Sequence, residues 1–262
     1  MNKLVTNIIK VLTAVFLSAS LVGAGLFVCC TPPATSILSS LFSDAEDSVF
    51  THEELVKAAK ATRTYTVGNN DNTPLYQVLF EINIKAKEAG RAVLNGAPFF
   101  PENRASFTTD ELQALFLFAN DSYVLTSDAI SHLDDVNSVV NVARVILIIL
   151  TVLALAGCIF LGITEGRRTL GLTITAAAVI VLVLFALIAA WAAISFQTFF
   201  TFLHSLFFTD GTWTFSAESL LIRMYPTNFW IGMGVIWLAT TVLACVCALT
   251  LGRLIKGRKQ TS

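Results

Sequence analysis

Four stretches of this chain each run for about 20 residues with no Asp, Glu or Lys, and nothing else in the sequence constrains its fold as strongly. At 1.5 Å of rise per residue, a helix of about 20 residues crosses a hydrocarbon core about 30 Å thick. Charged residues make up 13% of the 262, about half of the roughly 25% usual in soluble domains, while 55% are hydrophobic. A soluble enzyme is thereby excluded. The chain reads as an all-α membrane protein with four transmembrane helices.

The first stretch covers about 8–30, with Lys3 before it and Lys10 at its start, ahead of the run without Asp, Glu or Lys. It is longer than the roughly 7 to 15 residues of a signal-peptide core, and Val28-Cys29-Cys30 offers neither an A-x-A-like cleavage site nor the small residue that precedes a lipidated cysteine. It reads as a retained helix. The others cover 145–163, 170–194 with an apolar extension to 208, and 229–251. Their connections differ sharply in charge. One set holds Lys3, Lys10, Arg167, Arg168, Arg253, Lys256, Arg258 and Lys259 against Glu165 alone; the other holds nine bases against seventeen acids. Short basic connections belong in the cytoplasm. The expected order is therefore a transmembrane helix within 1–31, an extracytoplasmic helical cap at 32–141, spans at 142–164 and 170–203, an outer interfacial segment at 204–227, a span at 228–252 and a basic cytoplasmic tail at 253–262. Residues 165–169 form a tight inner turn. Cys158, Cys245 and Cys247 fall in apolar stretches, and the adjacent pair Cys29 and Cys30 has neither disulfide-framework nor metal-site spacing, so none receives a role.

In the cap, Pro32, Pro33 and a Ser-rich run are expected to lead away from the membrane. Thr51-His52-Glu53-Glu54 then reads as a capping box opening a helix over about 51–65. A second amphipathic helix, 75–89, ends at Gly90 with Lys85 and Lys87 in its last turns. Pro98 and Pro101 break the chain, Thr108-Thr109-Asp110-Glu111 opens a short helix to about 120, and Ser127 is placed as the cap of another that carries His132 toward the second span. Amphipathic helices of this kind also cover membrane proteins without any function of their own.

No G-x-S-x-G elbow, H-E-x-x-H pair or phosphate loop occurs, which removes the common hydrolase, metalloprotease and nucleotide readings at motif level. Three histidines remain. If the segment around His132 is helical, Asp128 and Asp135 stand four before and three after it on the same face, where a carboxylate can hold an imidazole tautomer; the plainer reading is a solvated helix start whose acids favour the macrodipole. His204 lies in an aromatic run with Phe199, Phe200, Phe202, Phe207 and Phe208, more than the third span needs, and is either functional or simply tolerated at the interface. Beyond it, Trp213, Arg223 and Tyr225 are suited to an anionic headgroup or a developing oxyanion, or to anchoring helix ends. His52 reads as surface.

At these residues the chain resembles the lipoprotein intramolecular transacylase (Lit) family of bacterial four-span membrane proteins. S-H-L-D-D-V at 131–136 is similar to the family's H-M-x-D-V pattern, and F-L-H-S-L-F-F at 202–208, G-T-W-T-F at 211–215 and L-I-R-M-Y-P at 221–226 are similar to its FH-x-x-FF segment, tryptophan and Ile-Arg-x-x-Pro stretch. The resemblance implies His132 and His204 as essential residues. It implies transfer of the sn-2 acyl chain of a diacylglyceryl-cysteine lipoprotein to the α-amine of that cysteine, giving a lyso-form lipoprotein. Asp135 would then orient His132, Asp128 and Tyr225 would support the site, and Arg223 and Trp213 would steady the oxyanion or lipid. The phenylalanines would hold acyl chains. No cofactor or metal is called for; the partners are diacylglyceryl lipoproteins and membrane lipid, not nucleic acid, and the site would face the outer leaflet of the cell membrane. The chain departs from the family pattern in Leu133, where Met is usual, and in about 50 extra residues near 69–123. A cell-envelope scaffold, or a membrane lipase or acyltransferase with another acceptor, are the alternative readings.

Overall fold

The computed structural model describes residues 3–91, 97–98 and 107–257. Among them there is no strand. Ten helices follow in order: α1 (Lys3–Cys29), α2 (Pro32–Phe42), α3 (His52–Val67), α4 (Thr73–Glu88), α5 (Thr109–Phe116), α6 (Ser127–Thr164), α7 (Gly166–Ile194), α8 (Phe196–Ser205), α9 (Leu220–Met224) and α10 (Thr227–Lys256). Four of these, α1, α6, α7 and α10, are long and apolar enough to cross a membrane, in agreement with the four apolar stretches. Pro101, and Arg258 and Lys259 of the basic tail, lie outside the described residues.

The prolines that were expected to lead the chain away instead open a helix. Pro32 and Pro33 stand in the first turn of α2, where the N–H they lack has no intrahelical partner to lose. The serines that follow do not uncoil it, because Ser39 and Ser40 turn their hydroxyls back onto the carbonyls of Thr35 and Ser36, at 2.6 and 2.8 Å. The helix expected to carry His132 and the second span are one continuous element, the 38-residue α6.

The chain forms two compact units. The first comprises 1–29, 142–200 and 234–262. Its core gathers Ile174, Ala178, Val181 and Phe185 of α7 with Cys245 and Ala248 of α10, and Leu17 and Leu21 of α1 pack against them. Lipid is as apolar as these side chains, so close packing and polar bonds between helices must hold them. Both are present. A Cβ on Gly171 would lie 2.5 Å from the Gly252 carbonyl oxygen, so α7 and α10 touch backbone to backbone. Ser18 donates to the Ala177 carbonyl at 3.2 Å, Trp237 Nε1 to Val22 O at 3.0 Å, and Thr151 to Ser20 at 3.0 Å. At one end of the unit Glu165 accepts from Thr6 and pairs with Lys10 at 3.4 Å.

The second unit comprises 30–141 and 201–233. Its helices start as their sequences dictate. Thr51 and Glu54 close a reciprocal capping box on α3, and Thr108 and Glu111 do so on α5. Glu54 also anchors a more distant residue, since Arg91 clasps its two oxygens at 2.8 and 2.9 Å. Burial raises the Glu54 carboxyl, but bonds from Arg91 and Thr51 outweigh it and hold the group below the usual carboxylate range. Leu55, Leu75, Leu79, Ile82 and Tyr123 fill the interior. Tyr65 donates to Asp134, and Asn137 Nδ2 to the Thr66 carbonyl at 3.0 Å, which moors the start of α6 to α3.

Replacing Gly171 by Ala pushes a methyl into the Gly252 carbonyl, whereas Gly234→Ala meets nothing within 4 Å. The first is expected to destabilise by about 1–3 kcal/mol, as overpacking does. The second should leave the thermal unfolding midpoint in detergent close to that of the parent.

Candidate active site

His132 stands in the second turn of α6, and His204 in the last turn of α8. Thr126, not Ser127, caps α6: its hydroxyl accepts from the Ala129 N–H at 3.3 Å and its carbonyl from the Ile130 N–H at 2.9 Å, which makes Ser127 the first helical residue. α8 exists because the chain breaks at Ser195, whose φ of −154° and ψ of 96° are extended, and restarts at Phe196. After His204 the chain turns at once, with the N–H groups of Phe207 and Phe208 both donating to the His204 carbonyl, at 3.0 and 2.9 Å. It reverses at Gly211, whose φ of +87° favours a residue without Cβ.

These turns assemble an aromatic enclosure around two imidazoles. The ring centroids of His132 and His204 are 6.4 Å apart with planes 26° from parallel. The two rings face one another closely enough for one substrate to approach both. Phe208 stands edge-on to His132 at 4.9 Å and 5.7 Å from His204. Trp213 lies over His204 at 4.8 Å, and Phe215 is 5.7 Å from His132.

His132 is only 9% exposed, and its Nδ1 is buried with no hydrogen-bond partner. It lies 13 residues before the apolar stretch that opens near Val145, past Asp134, Asp135, Asn137 and Asn141. Burial lowers the pKa of its imidazole below the ordinary histidine value, and the charge of His204 lowers it further, while Asp135 pulls the other way. The ring is therefore neutral near pH 7, the form able to accept a proton.

The other candidate residues are distributed as follows. Asp128 and Asp135 flank the histidine on α6, but neither bonds to its ring; Asp135 acts on it through charge alone. An aspartate carboxylate is short, and both acids instead line a neighbouring cavity of about 490 Å³ with Asp121, Ser131, Thr214 and Phe215. The expected carboxylate–imidazole bond is thus not formed. Arg223 spends Nη1 on Asp44, at 2.8 Å, and on the Glu46 carbonyl. Tyr225 is buried, donates to Ala59 O at 2.6 Å and packs at a tilt against Phe229. Both tie the second unit together. Phe207 and Phe202 are about half exposed. Phe199 and Phe200 belong to the first unit, where they pack on Phe196, and Phe199 also on Trp191. His52, expected at the surface, is exposed and places its two ring nitrogens on the carbonyls of Ser43 and Ser40. Phe215 is an addition: its one sequence signal is its place at the end of G-T-W-T-F, where the tryptophan is the more conspicuous residue. Among the described residues no three His, Cys, Asp or Glu side chains gather as metal ligands would.

Four long apolar helices and a buried imidazole facing a half-buried one define a class: a polytopic helical membrane protein with an aromatic, titratable site. Residues 102–230, the segment that holds both histidines, match the family model "Lipoprotein intramolecular transacylase Lit". The fold is shared with the in meso structure of the membrane integral lipoprotein intramolecular transacylase Lit from Bacillus cereus, at a TM-score of 0.64 and 14% identity over 98% of this chain and 99% of that one. Structures of two variants of that protein, with one histidine replaced by arginine or by alanine, align with TM-scores of 0.61 and 0.60 at 14% and 13% identity; they cover 96% and 98% of this chain, and 92% and 96% of theirs. No curated protein matches the chain. The resemblance to the Lit family that the sequence motifs carry is thereby shown.

The lowered pKa of His132 has a consequence for stability. The unfolded chain binds a proton near pH 6.5 that the folded site resists, so stability is full above that pH and is lost as pH falls from 6.5 toward the lowered value. Thermal unfolding between pH 7.5 and 5 is expected to show this loss in the parent and a flatter profile in His132→Gln.

Proposed function

We propose that the protein is an intramolecular transacylase that moves the sn-2 acyl chain of a diacylglyceryl-cysteine lipoprotein to the α-amine of the same cysteine. The observation that supports it most is the pair of facing imidazoles, 6.4 Å apart, within an aromatic wall. Two proton carriers suit a reaction whose substrate brings both nucleophile and acyl donor. The amine nitrogen attacks the sn-2 ester carbonyl carbon, and the carbonyl π electrons move to oxygen. One imidazole takes the proton that the attacking nitrogen sheds. As the tetrahedral intermediate collapses, the bond from carbon to the glyceryl oxygen breaks and the other imidazole protonates that oxygen. An amide and a free hydroxyl result, with no net change in protons.

Proton transfer of this kind contributes about 10²- to 10⁴-fold. Holding amine and ester together contributes more, since effective molarities of well-oriented intramolecular reactions reach about 10⁵–10⁸ M. Phe208, Trp213 and Phe215 would restrict the substrate in this way and keep water from the ester. Trp213 Nε1 is buried without a partner, which suits a donor to the carbonyl oxygen of the substrate. Asp135 would support the imidazolium that forms, through its field. Arg223 and Tyr225 would act by holding the frame of the second unit. The bias of Lys and Arg toward the opposite connections supports a site at the outer leaflet.

The test is mass spectrometry of the N-terminal peptide of a reporter lipoprotein made in a bacterium without N-acylation. With this protein present, the cysteine is expected to carry an N-acyl group and an S-monoacylglyceryl group. His132→Ala and His204→Ala, at matched expression, should each lower conversion about 10²-fold or more. Trp213→Phe, which keeps a ring and removes the N–H, should lower it less. An unchanged diacylglyceryl cysteine beside a well-expressed parent protein would refute the assignment.

A further inference from the structure

Apart from the histidine site, the second unit holds another cavity, of about 530 Å³, between α2 and α3. One wall, from α2, sets Pro33 and Ile37 beside the hydroxyl residues Thr35 and Ser36; the other carries Lys60, Arg63 and Thr64, which share a face of α3. No acidic residue lines it. Lys57, one turn earlier, is neutralised by Glu81, whereas Lys60 has no ion-pair partner among the described residues. Arg63 donates to the Cys30 carbonyl, which fixes its cation at the rim. Two positive charges therefore converge on one recess.

Its surroundings narrow the ligand. α2 begins three positions after the end of α1, a helix apolar enough to span a membrane. It also turns Ile37 and Leu41, one helical turn apart, outward at 56% and 64% exposure. An apolar stripe beside a cationic recess, within a few residues along the chain of a span, is the arrangement that lipid headgroups and their first methylenes fit.

We propose that this cavity binds the phosphodiester of an anionic phospholipid. The phosphodiester carries a single negative charge, set against Lys60 and Arg63, and the Ser36 hydroxyl donates to a non-bridging oxygen. Pro33 and Ile37 cover the glycerol carbons. A free phosphate ion would satisfy the cations and leave that apolar wall uncovered, which is why the lipid is the occupant.

The experiment is native mass spectrometry of the full chain in detergent, with phosphatidylglycerol or phosphatidylcholine added in equal amounts. One phosphatidylglycerol per chain should be retained in preference to phosphatidylcholine. Lys60→Glu should cut that retention at least about fivefold, the effect of one surface charge on anionic lipid, and Lys60→Arg should keep it. Lys57→Glu, on the same helix outside the cavity, should leave it unchanged. Equal retention of the two lipids, or indifference to Lys60→Glu, would overturn the proposal. Displacement of phosphatidylglycerol by millimolar inorganic phosphate would overturn it in favour of a free anion.

Discussion

Hydrocarbon offers a peptide group no hydrogen-bond partner, and most of the architecture follows from that constraint. The four long helices satisfy their backbones internally and leave polar chemistry to the places where helices begin and end. Both imidazoles occupy such places, His132 in the second turn of α6 and His204 in the last turn of α8. Titratable groups at helix ends avoid the full cost of burial in lipid while keeping the rigidity of the elements that carry them. The partial burial that remains is what lowers the His132 pKa, so the constraint on the backbone also sets the protonation state of the site.

The two units solve the packing problem by different physics. In the first, small residues bring backbones together, as Gly171 does with Gly252, and hydroxyls bond across helices because apolar burial gives no advantage over lipid. In the second, apolar side chains such as Leu55, Leu79 and Tyr123 are fully enclosed, and charge is used sparingly but with good geometry, as in the two-pronged clasp of Arg91 on Glu54. Arg223 and Asp44 form a further tie, through a single contact at 2.8 Å. The site belongs to this unit, with His132 buried at the start of α6 and its aromatic walls partly exposed.

Features governed by near neighbours were legible in the sequence. The apolar stretches announced α1, α6, α7 and α10, and T-H-E-E and T-T-D-E announced the capping boxes of α3 and α5, because each depends on residues within one or two turns. The prolines of α2 misled, since the same residue that ends a helix also starts one, and the difference lies in what precedes it. The histidines were legible as candidates through their motifs, but their closeness was not, because it depends on how the start of α6 and the turns at Gly211 and the His204 carbonyl come together within the second unit. Helical spacing correctly placed Asp128 and Asp135 beside His132, yet spacing says nothing of where a short carboxylate points. Arg223 and Tyr225 lie in a segment that resembles the family's site motifs, and the structure employs both in holding the fold.

The break at Ser195 separates two kinds of tolerance to change. From Phe196 to Ser205 the chain is helical, and each residue added or removed before His204 rotates that ring by about 100° about the α8 axis. A single insertion there would swing the imidazole out of its enclosure, whereas a compensated change of a full turn would return it near its direction at a different height. The segment that follows, 206–219, is held by turns and brings Phe208, Trp213 and Phe215 against the two imidazoles. Length variation in proteins of this fold is thus expected to be absent from the helical residues that deliver the second histidine.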